Sequence, residues 1–160
     1  MIFTLIHIFI NAIPHILYYY IYNKPIDYKI FCHRAGLDLI LFQLWLSVIC
    51  RFIAAVLFLH KYISFFVFNY IGLFMIIMGY SLIIYIWKLL GHKGLFYGRE
   101  LGLPLPWIKN NIFKYIKHPQ YIGAIIFYQG LATLFLNHCA IFTLSMYTFF
   151  YIHMIISESN

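Results

Sequence analysis

Charge is what this chain has least of. Only 9% of its 160 residues are Asp, Glu, Lys or Arg, and four of them are acidic. A soluble domain carries about 25% charged residues, whereas here 64% are hydrophobic and mean hydropathy is +0.87. So few charges cannot keep a surface wet, which excludes a soluble fold and makes the bilayer the solvent. Cysteine is scarce too. Cys32, Cys50 and Cys139 form neither an even framework nor a Cys-x-x-Cys pair, so they read as reduced thiols rather than a disulfide scaffold or metal site. The histidines show no ligand spacing, and no metal is expected. Five prolines and nine glycines gather into no linker, low-complexity stretch or repeat, so residues 1–160 read as a single membrane-embedded domain.

What the chain does have is long apolar runs separated by basic loops. About 20 residues of helix cross a bilayer core, and runs of that length lie at 1–22, 37–59 and 62–90. The first lacks a basic leader and a small-residue cleavage site, so it reads as a retained span. Residues 23–36 form a polar loop with Lys24, Lys29, Arg34 and Asp27, and a tight turn at His60-Lys61 leads into the third span. A long connection, 91–119, carries Lys93, Arg99, Lys109, Lys114 and Lys117, with Lys88 just before it. The last apolar segment, 120–157, is too long for one comfortable crossing, and Asn137-His138 interrupts it. The spacing predicts a hairpin of two helices over 121–136 and 139–156. The expected fold is therefore all-α, a polytopic integral membrane bundle of four to five transmembrane helices. With five, the basic loops share one side and Lys61 stands opposite, which makes the basic side cytoplasmic and brings the C-terminus to it. A single tilted last span would put the C-terminus on the other side. The net charge of +7 is accounted for by this distribution, and no nucleic-acid partner is expected.

Polar side chains inside or beside the spans are the candidates for chemistry. Arg51 lies deep in the second span, on the same face as Gln43 and Ser47. A charge there costs several kcal/mol unless paired or hydrated. It could meet a lipid phosphate, or equally a carbonyl of a neighbouring helix. Thr4, His7, Asn11 and His15 form a stripe on the first span that suits interhelical hydrogen bonds. His118 precedes Pro119, which biases it to an extended conformation at a helix start. Its ring could hold an anionic group, accept a proton or simply be solvated. Tyr121 could bond a cofactor or anchor the aromatic belt. Glu158, the one carboxylate after Glu100, could meet a cation or be a solvated tail residue.

The run Gly91-His92-Lys93-Gly94-Leu95-Phe96-Tyr97-Gly98, then Leu101-Gly102, Pro106-Trp107 and His118-Pro119-Gln120-Tyr121-Ile122-Gly123, resembles the phospholipid methyltransferase family in order and spacing. The resemblance covers about 79–158, and the catalytic half it implies is about 77–160. It implies S-adenosylmethionine as methyl donor and the amine of an ethanolamine phospholipid as acceptor, in phosphatidylcholine synthesis. An endoplasmic reticulum membrane is the implied location, with the lipid itself as partner. The family's Gly-x-Gly falls on Ile77-Met78-Gly79, keeping only Gly79, and its Glu-Glu pair falls on Glu158-Ser159, keeping only Glu158. The implied donor site comprises Gly79, Gly94, Gly98, His118, Tyr121 and Glu158; His118 and Glu158 are the catalytic candidates, and Arg99 together with Arg51, whose place in the second span lies outside the resemblance, are the candidates for binding the lipid. Glycines let backbone approach a cofactor, but they also serve helix packing or loop turns. Two other functions remain open. Isoprenylcysteine carboxyl methyltransferases carry a similar His-Pro-x-Tyr element, and a small membrane scaffold or transporter subunit would need the polar stripes only for helix association.

Overall fold

The computed structural model describes residues 2–105 and 111–158. They form α1 (Ile2–Asn23), α2 (Pro25–Ala35), α3 (Leu39–Tyr62), α4 (Tyr70–Leu95), α5 (Pro119–Ala132) and α6 (His138–Ser157), with short 3-10 turns at Ile63–Phe65 and Asn111–Lys114. This is an all-α polytopic membrane bundle. Four helices (α1, α3 with its 3-10 turn, α4 and α6) are long and apolar enough to cross a membrane. The boundaries follow local chemistry. Asp38 accepts hydrogen bonds from the Ile40 and Leu41 amides at the start of α3, and Asn69 and Asn137 cap α4 and α6 in the same way. Pro25 and Pro119 occupy first-turn positions, where their missing N–H is no loss.

Contacts at the helix ends fix the path. Thr4 at the start of α1 hydrogen-bonds Tyr62 at the end of α3, while Tyr22 near the end of α1 reaches the Glu158 carbonyl after α6. The chain passes back and forth five times, and the expected C-terminal hairpin is present. The single tilted last span is excluded, because Glu158 returns to the loop that precedes α5. α5 has only 14 residues, about 21 Å of helix. It packs between α4 and α6 with no residue fully exposed.

Two expectations are corrected. Residues 23–36 are not an open loop: α2 occupies most of them and ends at Gly36, whose φ of 65° is left-handed. Its charges masked an apolar face, and Tyr28 and Cys32 are buried against the bundle. The third span begins at Tyr70, not 62. The residues before it turn and run extended beside the end of α5, with Val67 N–H donating to the Leu134 carbonyl at 2.8 Å and Leu136 N–H to that of Phe65 at 3.1 Å.

Glycine sets the contact between α4 and α5. A Cβ on Gly79 would lie 2.5 Å from the Gly123 carbonyl oxygen and from the Phe127 nitrogen, and Gly72 meets Gly130 one heptad away. Small residues let the two backbones approach, as in other membrane helix pairs. The stripe on α1 is buried, and Thr4, His7 and Asn11 are bonded across helices as expected, whereas His15 Nδ1 is buried without a hydrogen-bond partner among the described residues. His7 Nε2 lies 2.7 Å from the Ala54 carbonyl, Asn11 donates to the Tyr147 hydroxyl at 2.6 Å, and Tyr18 bonds Ser47. The three cysteines are free thiols, Cys139 exposed and the others buried.

Candidate active site

At the loop end of the bundle, three segments converge on one carboxylate. Glu158 caps the C-terminus of α6, and its Oε1 accepts hydrogen bonds from the Tyr97 and Tyr121 hydroxyls, each at 2.5 Å. The two phenols are themselves 2.8 Å apart. The other oxygen, Oε2, lies 3.3 Å from His118 Nδ1, and the two side chains are only 12% and 9% exposed. The His118 ring stacks on Tyr121 at 5.7 Å between centroids. Each partner has a local reason to be there. Pro119 starts α5 with His118 as the residue before it, at φ −129° and ψ 64° rather than in the extended backbone expected, and Tyr121 follows in the first turn. Tyr97 sits just past α4 at φ 56°, a left-handed conformation uncommon for a side chain of its size. The turn that imposes it is closed by Gly98 N–H donating to the Lys93 carbonyl at 2.9 Å.

Burial dominates the electrostatics. It raises the Glu158 carboxyl above its usual 4.5 against the two phenol hydrogen bonds, which pull it down. It lowers the His118 ring below its usual 6.5, helped by the nearby positive charge of Lys117. Both groups are pushed toward their neutral forms. The 3.3 Å contact is therefore a close polar approach rather than a fixed ion pair. Burial also raises the Tyr97 phenol well above its usual 10.0, keeping it a hydrogen-bond donor.

The carboxylate opens onto a cleft of about 290 Å³. Leu89, Leu90 and Gly94 at the end of α4 form one wall, and Arg99, Lys117 and Gln120 stand around it. Of the residues expected from sequence, the structure brings His118, Tyr121, Glu158, Gly94 and Arg99 to this cleft. Gly98 shapes the adjoining turn but does not line it. Gly79 is committed to packing against α5, and Arg51 stands apart, half-way along α3 near Tyr18, Tyr128 and Tyr151. Pro106, Trp107 and Ser159 lie outside the described residues. Tyr97 and Gln120 were missed as site residues. The strongest available signal was Tyr97's place between Gly94 and Gly98.

The family model for phospholipid methyltransferase matches residues 67–160, more than half of the sequence, including Tyr97, His118, Tyr121 and Glu158. The chain belongs to the phospholipid methyltransferase family. Comparison with curated proteins and with solved structures finds no match. Membership makes this a membrane methyltransferase of phospholipid and implies a methyl donor of the S-adenosylmethionine type. The cleft of this phospholipid methyltransferase fits such a donor, which carries a sulfonium, an ammonium and a carboxylate beside an apolar body. A recessed carboxylate is available for the cations and leucines for the apolar part. His118 Nε2 and Gln120 Oε1 are buried without a hydrogen-bond partner among the described residues. Buried polar atoms are rarely left so unless a ligand or water completes them.

Proposed function

We propose that the protein methylates the amine of an ethanolamine phospholipid, using a donor of the S-adenosylmethionine type bound in the Glu158 cleft. The convergence of His118, Tyr97 and Tyr121 on one carboxylate at the membrane boundary carries this reading. The donor supplies an electrophilic methyl carbon on a positively charged sulfur, which the amine nitrogen attacks in line. Glu158 holds the positive charge, and the two phenols fix its carboxylate by occupying one oxygen and leaving the other toward the cleft. The headgroup amine is protonated in water and has no lone pair to offer until a base removes a proton. His118, kept neutral by burial, accepts that proton at Nε2 while Nδ1 stays against Glu158. Arg99, on the rim, meets the lipid phosphate. Leu89, Leu90 and Leu105 exclude water, so that orientation and desolvation supply most of the acceleration.

The basic side of the bundle is assigned to the cytoplasm by the positive-inside rule, and the endoplasmic reticulum is the proposed membrane. The test is methyl transfer from labelled donor in membranes containing the protein, followed by thin-layer separation of the lipids. Labelled mono-, di- or trimethylated ethanolamine phospholipid is expected. Label confined to a prenylcysteine peptide would reassign the acceptor, and absence of donor binding would remove the enzymatic reading.

A further inference from the structure

A second cavity, of about 650 Å³, lies between α2, the start of α3 and the turn after α4, and shares no lining residue with the Glu158 cleft. Four basic side chains face it: Lys29 and His33 from α2, and His92 and Lys93 from the last turn of α4, past its kink. The last two are presented there because the helical path breaks at Gly91, whose φ of 63° turns the chain out of line. The floor is apolar, formed by Leu39, Ile40 and Leu103 among others. One carboxylate is present, Asp38, and its Oδ1 accepts from the Ile40 and Leu41 amides at 2.9 and 2.7 Å.

We infer that this cavity binds a membrane phospholipid with a net-negative headgroup. Charge complementarity gives the sign: among the described residues two lysines and two histidines face the space against one acid, Asp38, whose Oδ1 is held by backbone amides. The leucine floor gives the class, since an acyl chain fills it and a free phosphate does not. The location supplies the ligand. α2 exposes Ile26, Ile30 and Phe31 beside its charges, the composition of a helix lying in the bilayer interface. Such a lipid bridges α2 to the His92-Lys93 segment. The Lys93 carbonyl holds the Gly98 amide, next to the Tyr97 that orients Glu158, so an occupied cavity steadies the catalytic turn.

The test reads binding rather than methyl transfer, so it stands apart from the enzymatic proposal. Purified protein in detergent is titrated with short-chain phosphatidylglycerol, and retention is measured by native mass spectrometry against phosphatidylcholine of the same chain length. The expected result is preference for phosphatidylglycerol and roughly thirtyfold weaker retention in Lys29→Gln/Lys93→Gln, from about 1 kcal/mol per lysine. Lys24→Gln/Lys114→Gln removes equal charge outside the cavity and should retain the lipid, as should the charge-preserving Lys29→Arg/Lys93→Arg. Equal retention of the two phospholipids, or equal loss in both glutamine pairs, would overturn the site. Competition by millimolar inorganic phosphate as effective as by the lipid would overturn the lipid as its occupant.

Discussion

Replacing Glu158 with glutamine keeps the shape of the carboxylate and removes its charge. In the native site two phenol hydrogen bonds of 2.5 Å end on one of its oxygens. Hydrogen bonds to a charged acceptor contribute about 1.5–3 kcal/mol and neutral ones about 0.5–1.5. The amide oxygen can still receive the phenols, so the fold should survive with a less firmly held side chain. The contact with the donor's positive charge is lost outright. At about 1.5–3 kcal/mol this weakens donor binding by roughly ten- to hundredfold. The effect should depend on pH with a definite sign. Burial raises the native Glu158 carboxyl, so it stays protonated to higher pH than an ordinary glutamate. A bound cation favours the ionised form, so binding expels that proton. Donor affinity should therefore rise as pH increases through the raised pKa, then level off, whereas Glu158→Gln should show no such dependence from this site. Equilibrium binding of labelled donor to detergent-solubilised protein between pH 5 and 8 measures both. An unchanged dissociation constant, or the same pH profile in both proteins, would refute the role given to Glu158.

His118→Ala should lower methyl transfer by ten- to hundredfold, through loss of a proton acceptor or a contact of about 1.5–3 kcal/mol. His138→Ala, at the opposite end of the bundle, should leave activity near native, and equal rates at matched expression would count against His118. Gly79→Ala should lower the thermal midpoint in detergent by the equivalent of about 1–3 kcal/mol, because the new Cβ meets backbone atoms that cannot swing aside. Weakened donor binding at an unchanged midpoint would instead give Gly79 the cofactor role. Single cysteines replacing Lys114 and Leu136, in a background lacking Cys32, Cys50 and Cys139, should be labelled from opposite membrane faces. Labelling from one face would break the five-pass path.

The spans, the hairpin and the helix start after His118 were legible because each rests on a strong local signal, whereas the meeting of His118 with Glu158 was implied by the family resemblance. Those signals are apolar length, a polar break at Asn137 in the middle of the last apolar run, and a proline that fixes a helix start. α2 was not. Lys24, Asp27, Lys29 and Arg34 read as loop when hydropathy alone is followed, although Pro25 and Gly36 are a helix-start and a helix-stop signal eleven residues apart. Tyr97 was hidden by abundance, one of 15 tyrosines, and nothing local announces its left-handed backbone. Gly79 shows the opposite limit. A family motif singled it out, yet its environment is explained by the repeat Gly72, Gly79 facing Gly123, Gly130. Arg51 was rightly marked as unusual, but sequence could not tell that tyrosines from α1, α5 and α6 surround it.

The shortness of α5 has a consequence for how a lipid could be processed. α4 has 26 residues and α5 only 14. Gly123 packs against Gly79 and Ile83, so the start of α5 stands about level with 83–87, a turn or more below the break at Gly91. The hollow above α5 is thus a stairwell beside a taller wall. A phospholipid can lower its headgroup into it while both tails stay among their neighbours. Under the proposed chemistry the acceptor never leaves the leaflet: no carrier has to lift it out, and the product is released by sideways diffusion.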